Sequence, residues 1–421
     1  MVAEDQTSGQ RRNRLILIGV LALGVFLRLP PNVFLDGGLL HSFAGLHIAP
    51  AFTQVGFDES LYRQYLNTLI ERGLGSYPDM VEDYITAQSK LPGAILPPVR
   101  FLYIFSAYLW HLLFGAEPLA ALQDAAAVFS MLTLVLAAIF AWRLGGATSG
   151  IGIAALMAVA PTQLHMSQHA LIDGFFAFWA LLCLWLLWEN LRSPRKWPLL
   201  ISFGISLAAL VLTKENSFFV VVAALVLLLT NRWLRFGTVT RELLLVTVAG
   251  PLLGVVILVF LAGGVNNLIT TYELLVAKAS QTPYAILTGD GPWYRYLVDL
   301  LLVSPVILIL AFGSVFRLDW TKKSELYLFT FVAASYVAMC NVKYGMNLRY
   351  ANMWDMPLRF LAFNSLVALF ESRPRYRNIG LAISVAFVCA IEFRQYYILA
   401  VRYPLYELVT RDLLRALQIL K

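Results

Sequence analysis

The chain has 421 residues, 59% hydrophobic and 14% charged, with a mean hydropathy of +0.71. Soluble domains carry about 25% charged residues, which excludes a soluble globular protein, and no run of ~10-residue alternating segments supports a membrane β-barrel. The formal net charge of +7 does not point to nucleic acid, because Lys and Arg stand in short clusters between apolar blocks, as in the cytoplasmic loops of membrane proteins.

The apolar blocks recur along the whole length, each near the ~20 residues that cross a bilayer. The fold class is therefore all-α, a polytopic membrane helix bundle, and residues 1–421 read as one integral membrane domain. A basic run, Arg11, Arg12 and Arg14, precedes the stretch 15–29, which has no small-residue cleavage site after it and reads as an uncleaved first span leaving the cytoplasm. Residues 30–118 form the first external loop, with interfacial helices. In it "GFDESLYRQYL" opens an amphipathic helix with Leu61, Tyr62, Tyr65, Leu66, Leu69 and Ile70 on one face. Two compatible readings of Asp58 and Glu59 stay open: cap and first-turn acid of that helix, or a carboxylate placed to take a proton from an acceptor hydroxyl. The block 98–114 is short, follows Pro97, and carries Arg100 and His111, so it reads as an interfacial helix.

The next span, 119–142, ends at Arg143. The later basic clusters are Arg192/Arg195/Lys196, Arg232/Arg235/Arg241, Arg317/Lys322/Lys323 and Arg373/Arg375/Arg377. Two apolar blocks separate each from its predecessor, which is the pattern of helical hairpins leaving and re-entering the cytoplasm. A second external loop covers 263–297. The count comes to about eleven transmembrane helices with the C-terminus outside. The tail 398–421 has Leu405, Leu408, Leu413, Leu417 and Leu420 at roughly helical spacing and reads as amphipathic. Cys183, Cys340 and Cys389 lie within apolar blocks and read as small core residues.

Eight cations stand on the wrong side of this charge pattern: Arg28, Lys90, Arg100, Lys214, Lys278, Arg295, Lys343 and Arg349. Charges in such places are costly and become candidates for function. Lys214, in "LVLTKENSFFVV", is either half of a Lys–Glu pair in a hairpin turn or, with Arg295, Lys343 or Arg349, a grip for an anion such as a lipid-linked phosphate. Asp173, in "MSQHALIDGFF", is an N-cap or a third acid on the face of Asp58 and Glu59; together Asp58 and Asp173 could bind a divalent cation or a sugar hydroxyl. His165 and His169 share a helix face, a weak metal signal. "TGDGPWYRYLVDLL" places Asp290, Trp293, Tyr294, Arg295 and Tyr296 at the end of an external loop, as interfacial anchors or a sugar-binding wall. No phosphate-cradling Gly–Lys loop, zinc-protease motif or dinucleotide fingerprint is present, so any energy for a reaction outside arrives with a membrane-borne donor.

Taken in order, these stretches resemble the GT-C glycosyltransferases, most closely the branch of the dolichyl-phosphate-mannose protein mannosyltransferases and the lipid A aminoarabinose transferase. The resemblance rests on "GFDESLYRQYL", "LPPVRFLYIFSAYLWHLLFG", "ALIDGFFAFWALLCLWLLWE", "LTKENSFFV", "GPWYRYLVDLLLVSPVILIL" and "NLRYANMWDMPL", and covers nearly the whole chain. It implies an inverting sugar transfer from a polyprenyl-phosphate-sugar to a lipid, glycan or protein acceptor. The protein would sit in a bacterial inner or plasma membrane, with the site facing the periplasm or outside. By motif match, Asp58 corresponds to the catalytic base and Glu59 to its neighbour, Asp173 to a second acid, Lys214 to the lysine on the lipid phosphate, and Arg349 with Tyr350 to the late Arg–Tyr. Lys343 and Arg295 are further phosphate candidates, and Lys90, Arg100, Tyr294 and His169 further substrate contacts. The resemblance fixes no cofactor; some members of the wider fold use a divalent cation (magnesium or manganese), which Asp58 and Asp173 could support. The sequence departs from the family at Leu96, Gln123 and Gln168, where relatives carry basic residues. The rival readings are a non-catalytic GT-C-like subunit and a lipid-linked sugar flippase; no inverted repeat supports the latter.

Overall fold

The computed structural model describes residues 2–34, 40–48, 57–289, 291–343 and 346–409. Asp290 and the tail beyond Val409, with Leu413, Leu417 and Leu420, lie outside the described residues. Among those described there are helices and turns and no strand. Helix α1 covers Val2–Phe26. In the 30–118 segment follow α2 (Phe57–Arg72), α3 (Tyr77–Lys90) and α4 (Phe101–Phe114). The main bundle continues with α5 (Pro118–Ala158), α6 (Pro161–Ser167), α7 (Ile172–Arg192), α8 (Trp197–Thr213), α9 (Ser217–Leu234) and α10 (Arg241–Leu261). Helices α11 (Val265–Ala279) and α12 (Pro283–Gly289) occupy the 263–297 segment. They precede α13 (Arg295–Val303), α14 (Pro305–Val315), α15 (Lys323–Met339), α16 (Asp355–Leu369) and α17 (Arg377–Tyr396).

Local chemistry starts and breaks these helices. Pro118 fills the first turn of α5 while the Glu117 carboxylate accepts from the N–H groups of Leu119 and Ala120, satisfying donors that a helix start leaves open. Thr240 caps α10 through Leu243 N–H at 3.2 Å. Inside α5, Gly146 takes φ 79° and ψ −170°, a backbone conformation open to glycine, and the helix kinks there just past Arg143.

Five helices among the described residues are long and apolar enough to cross a membrane: α5, α7, α9, α10 and α17 with its extension to Arg402. Helices α4, α8 and α14 are apolar but shorter. Polypeptide of this kind cannot rest in water, and the protein is an integral membrane protein. Two buried cores organise it. The larger joins α5, α7, α8, α9 and α13 to α17; the smaller packs α2, α3 and α4 against the start of α5 and the ends of α8 and α10. Helices α8 and α10 approach closely because Gly250 and Gly254, four apart, present bare backbone: a Cβ at Gly250 would stand 2.8 Å from Gly204 O, and one at Gly254 2.9 Å from Ala208 O.

The bundle has two chemically different ends. Helices α7 and α9 and the return helices between them place Asp173, Lys214 and Glu215 at one end and Arg192, Lys196, Arg232 and Arg235 at the other. At the basic end the charges serve as ties: Arg143 Nε and Glu189 Oε1 are 2.8 Å apart, and Lys323 Nζ donates to Leu234 O at 2.7 Å.

Candidate active site

At the opposite end, residues far apart in sequence converge. Asp58 is the second residue of α2 and Asp173 the second of α7, whose N-cap position is held by Leu171. Arg349 and Tyr350 lie in the 3-10 segment Leu348–Trp354, which begins with Asn347 Oδ1 accepting from Arg349 N–H at 2.9 Å. Lys214 ends α8, turning the chain toward α9.

Arg349 is the hub. Its Nη1 stands 3.0 Å from Asp58 Oδ2 and 3.8 Å from Asp173 Oδ2, and its Nη2 stands 3.0 Å from Glu407 Oε1. Lys214 Nζ lies 2.6 Å from Asp173 Oδ1 and 3.8 Å from the centre of the Tyr350 ring. Burial holds the Lys214 ammonium below its usual pKa despite the opposing pull of Asp173. Side-chain exposure is 5% at Arg349, 2% at Lys214 and 3% at Asp173, so these charges interact with little solvent screening.

A second layer surrounds the hub. Arg100 donates to Tyr62 Oη at 2.6 Å and forms a forked pair with both carboxylate oxygens of Glu215. Burial opposes ionisation of Glu215, yet Arg100 and Lys214 hold its pKa below the usual carboxylate value. Lys214 and Glu215 thus do not pair with each other as a simple hairpin would have them do; each reaches a different helix. Glu59 accepts from Ala170 N–H at 2.6 Å and lies 3.5 Å from His169 Nδ1, which ties α2 to the turn between α6 and α7. His165 and His169 stack edge to face at 4.6 Å, and His165 Nε2 donates to Tyr406 O at 2.9 Å.

The structure therefore brings Asp58, Asp173, Lys214, Arg349, Tyr350, Arg100, Glu59 and His169 into one buried region. It leaves Lys90 and Lys343 as exposed side chains outside it. Arg295 is buried 3.6 Å from Asp299 in α13, and Tyr294 is half-buried against Trp293. Arg28 and Lys278 are structural cations: Arg28 donates to the carbonyls of Gly24, Met157 and Ala158 and to Ser130, and Lys278 closes the end of α3 through the carbonyls of Gln88, Ser89 and Leu91. Gln168, where relatives carry a basic residue, accepts from Ile48 N–H and from the Tyr396 hydroxyl and donates to Leu27 O. Sequence reasoning missed Glu407, Tyr406 and Asn347. The one signal was an acid inside "YPLYELV", otherwise apolar, just past the last apolar block.

Asp58 and Asp173, the two acids that could support a divalent cation, are each engaged by cations in this arrangement. Both carboxylates face Arg349, Asp173 also faces Lys214, and among the described residues no group of three His, Cys, Asp or Glu side chains is placed to hold a metal.

Residues 95–270 match the family model described as dolichyl-phosphate-mannose-protein mannosyltransferase. No curated protein matches by sequence. Among solved structures, ArnT from Cupriavidus metallidurans in the apo state is similar at 16% identity and TM-score 0.55, over 94% of this chain and 66% of that one. The chain shares the fold of this structure. The archaeal oligosaccharyltransferase AglB from Archaeoglobus fulgidus, in complex with an inhibitory peptide and a dolichol-phosphate, shares that fold at 15% identity and TM-score 0.60, over 95% of this chain and 56% of that one. ArnT bound to undecaprenyl phosphate matches at 14% identity and TM-score 0.52, over 91% and 75%. The chain thus spans between about half and three quarters of the length of these proteins.

Proposed function

We propose that this protein is a GT-C membrane glycosyltransferase that moves a sugar, with inversion, from a polyprenyl-phosphate-sugar to an acceptor on the outer face of the membrane. The observation that carries the reading is the buried meeting of Asp58, Asp173, Lys214 and Arg349, drawn from four separate elements. Two cations side by side with a carboxylate suit the two charges that such a reaction creates. Asp58 takes the proton of the acceptor hydroxyl or amine as that atom forms its bond to the anomeric carbon. The bond from that carbon to the phosphate oxygen breaks, and the polyprenyl phosphate leaves with its charge held by Lys214 and Arg349. Preorganised cations in a buried site stabilise such developing charge far better than water-exposed ones. Glu59 positions α2, and with it Asp58, against the α6–α7 turn. The outer-face assignment is supported by the position of the cluster at the bundle end opposite the basic loops. The similar structures holding dolichol-phosphate and undecaprenyl phosphate support a lipid-carrier donor.

The test is release of free polyprenyl phosphate from labelled polyprenyl-phosphate sugars by purified protein in lipid, with membrane extract as acceptor. Wild type releases it; Asp58→Asn binds donor but loses turnover by about 10²-fold or more, the range of a general base; Lys214→Ala loses donor affinity. Donor binding without turnover in wild type, unaffected by Asp58→Asn, would replace transfer with transport or scaffolding.

A further inference from the structure

After Arg402 the chain leaves the helix, and residues 403–409 reach the site through Tyr406 and Glu407. Leu408 and Val409 are buried in the main core, Leu405 N–H donates to Leu399 O at 2.9 Å, and Tyr406 O accepts from His165. Between these anchors Glu407 is 6% exposed. One of its oxygens faces Arg349 Nη2 at 3.0 Å and the other accepts from Asn347 Nδ2 at 2.9 Å.

Charge makes this placement informative. Among the described residues around the site, Asp58, Glu59, Asp173, Glu215 and Glu407 outnumber Arg100, Lys214 and Arg349. A phosphate that entered with all of them in place would meet an excess of its own sign. It would also find the Nη1 edge of Arg349 turned to Asp58 and Asp173 and the Nη2 edge turned to Glu407. Asp58 and Asp173 stand in the first turns of packed helices. Among the described acids on Arg349, Glu407 stands in non-helical chain.

We propose that Glu407 is a resident stand-in for the donor phosphate: it fills the Arg349 seat and withdraws, with the 403–409 strap, when a prenyl monophosphate binds. The inference rests on the reading of Arg349 as a phosphate ligand. It makes the strap a competitor built into the chain, one that keeps a buried guanidinium paired until the anion arrives.

The experiment measures binding of a long-chain prenyl monophosphate, and of the matching prenyl alcohol, to full-length protein in neutral-lipid nanodiscs. Glu407→Gln keeps the shape but removes the charge; Glu407→Asp keeps the charge but shortens the reach to Arg349. Both variants bind the monophosphate more tightly, Glu407→Gln by about tenfold, the worth of one charge-assisted hydrogen bond, and the alcohol as wild type does. Unchanged or weaker monophosphate binding by Glu407→Gln, with monophosphate still bound more tightly than alcohol, overturns the inference while leaving the phosphate reading intact. A gain in Glu407→Gln alone, absent from Glu407→Asp, also overturns it, since a change in field then explains the result without competition for the seat. Equal affinity of wild type and both variants for monophosphate and alcohol removes the phosphate reading and the inference together. If the variants fail to fold, amide exchange in wild type decides: exchange across 403–409 rises on adding monophosphate and not alcohol, and a fall on adding monophosphate overturns the inference.

Discussion

The Arg100–Glu215 pair shows how much of this site depends on partners held in register. Arg100 reaches from the start of α4 to a residue in the α8–α9 turn, with Tyr62 of α2 as its third contact. Because Arg100 and Lys214 keep Glu215 below its usual pKa, the native state binds fewer protons at this group than the unfolded chain does. The stabilising contribution is therefore complete above the unfolded value of about 4.3 and is lost as pH falls through the depressed native value. Thermal unfolding in detergent should show this loss in wild type and lack it in Glu215→Gln, whose stability is lower at neutral pH and less dependent on acid; parallel acid curves for the two proteins would refute the assignment. At this scale the sequence was legible where a charge interrupted an apolar run. Asp58, Asp173, Lys214 and Arg349 each did so, and all four meet. The same signal also flagged Arg28 and Lys278, because an arginine or lysine that binds helix carbonyls reads in sequence just like one waiting for a ligand. Glu407 escaped because an acid among leucines in a tail reads as the wet side of an amphipathic helix, and only tertiary structure shows it facing Arg349.

Among elements, the contact between α8 and α10 fixes how the Lys214 turn is held, since α8 ends at Thr213. Gly250 and Gly254 allow that contact, and their spacing in "AGPLLG" places both on one face of α10. Replacing Gly254 with Leu forces side-chain atoms into Val211 and the Ala208 carbonyl, with a cost of about 1–3 kcal/mol for overpacking, more if the helices separate. The expected result is a lower melting temperature in detergent together with weaker donor binding, because the Lys214 end of α8 moves with the helix. A Gly254→Leu protein that melts like wild type would show that the two helices do not need this approach. The element boundaries were more legible than the contacts between them. The amphipathic start at Asp58 and the short helix after Pro98 follow from hydrophobic spacing and proline, and α2 and α4 stand there. The kink at Gly146 and the reach of the 403–409 strap to the site depend on what those segments meet in space, which no local pattern encodes.

For the whole molecule, orientation depends on whether α4 crosses the membrane. Its 14 residues span about 21 Å at 1.5 Å each, short of the ~30 Å hydrocarbon core. Helix α4 also packs on α2 and α5 in the smaller core. If it does not cross, every basic cluster from Arg143 to Arg377 falls on the cytoplasmic side and the Asp58–Arg349 site falls outside. If it does, the whole later chain inverts and the basic clusters face outward, against the positive-inside rule. Single cysteines in a background lacking Cys183, Cys340 and Cys389 separate the two. Gln281 follows α11, near the site end, and Thr238 lies between α9 and α10, at the basic end, and both are exposed. A membrane-impermeant maleimide should label Gln281→Cys in intact cells and Thr238→Cys only after permeabilisation. The reverse pattern would place the acidic and cationic cluster in the cytoplasm, where nucleotide-activated sugars could reach it, and the argument for a lipid-borne donor on the outer face would lose its topological support.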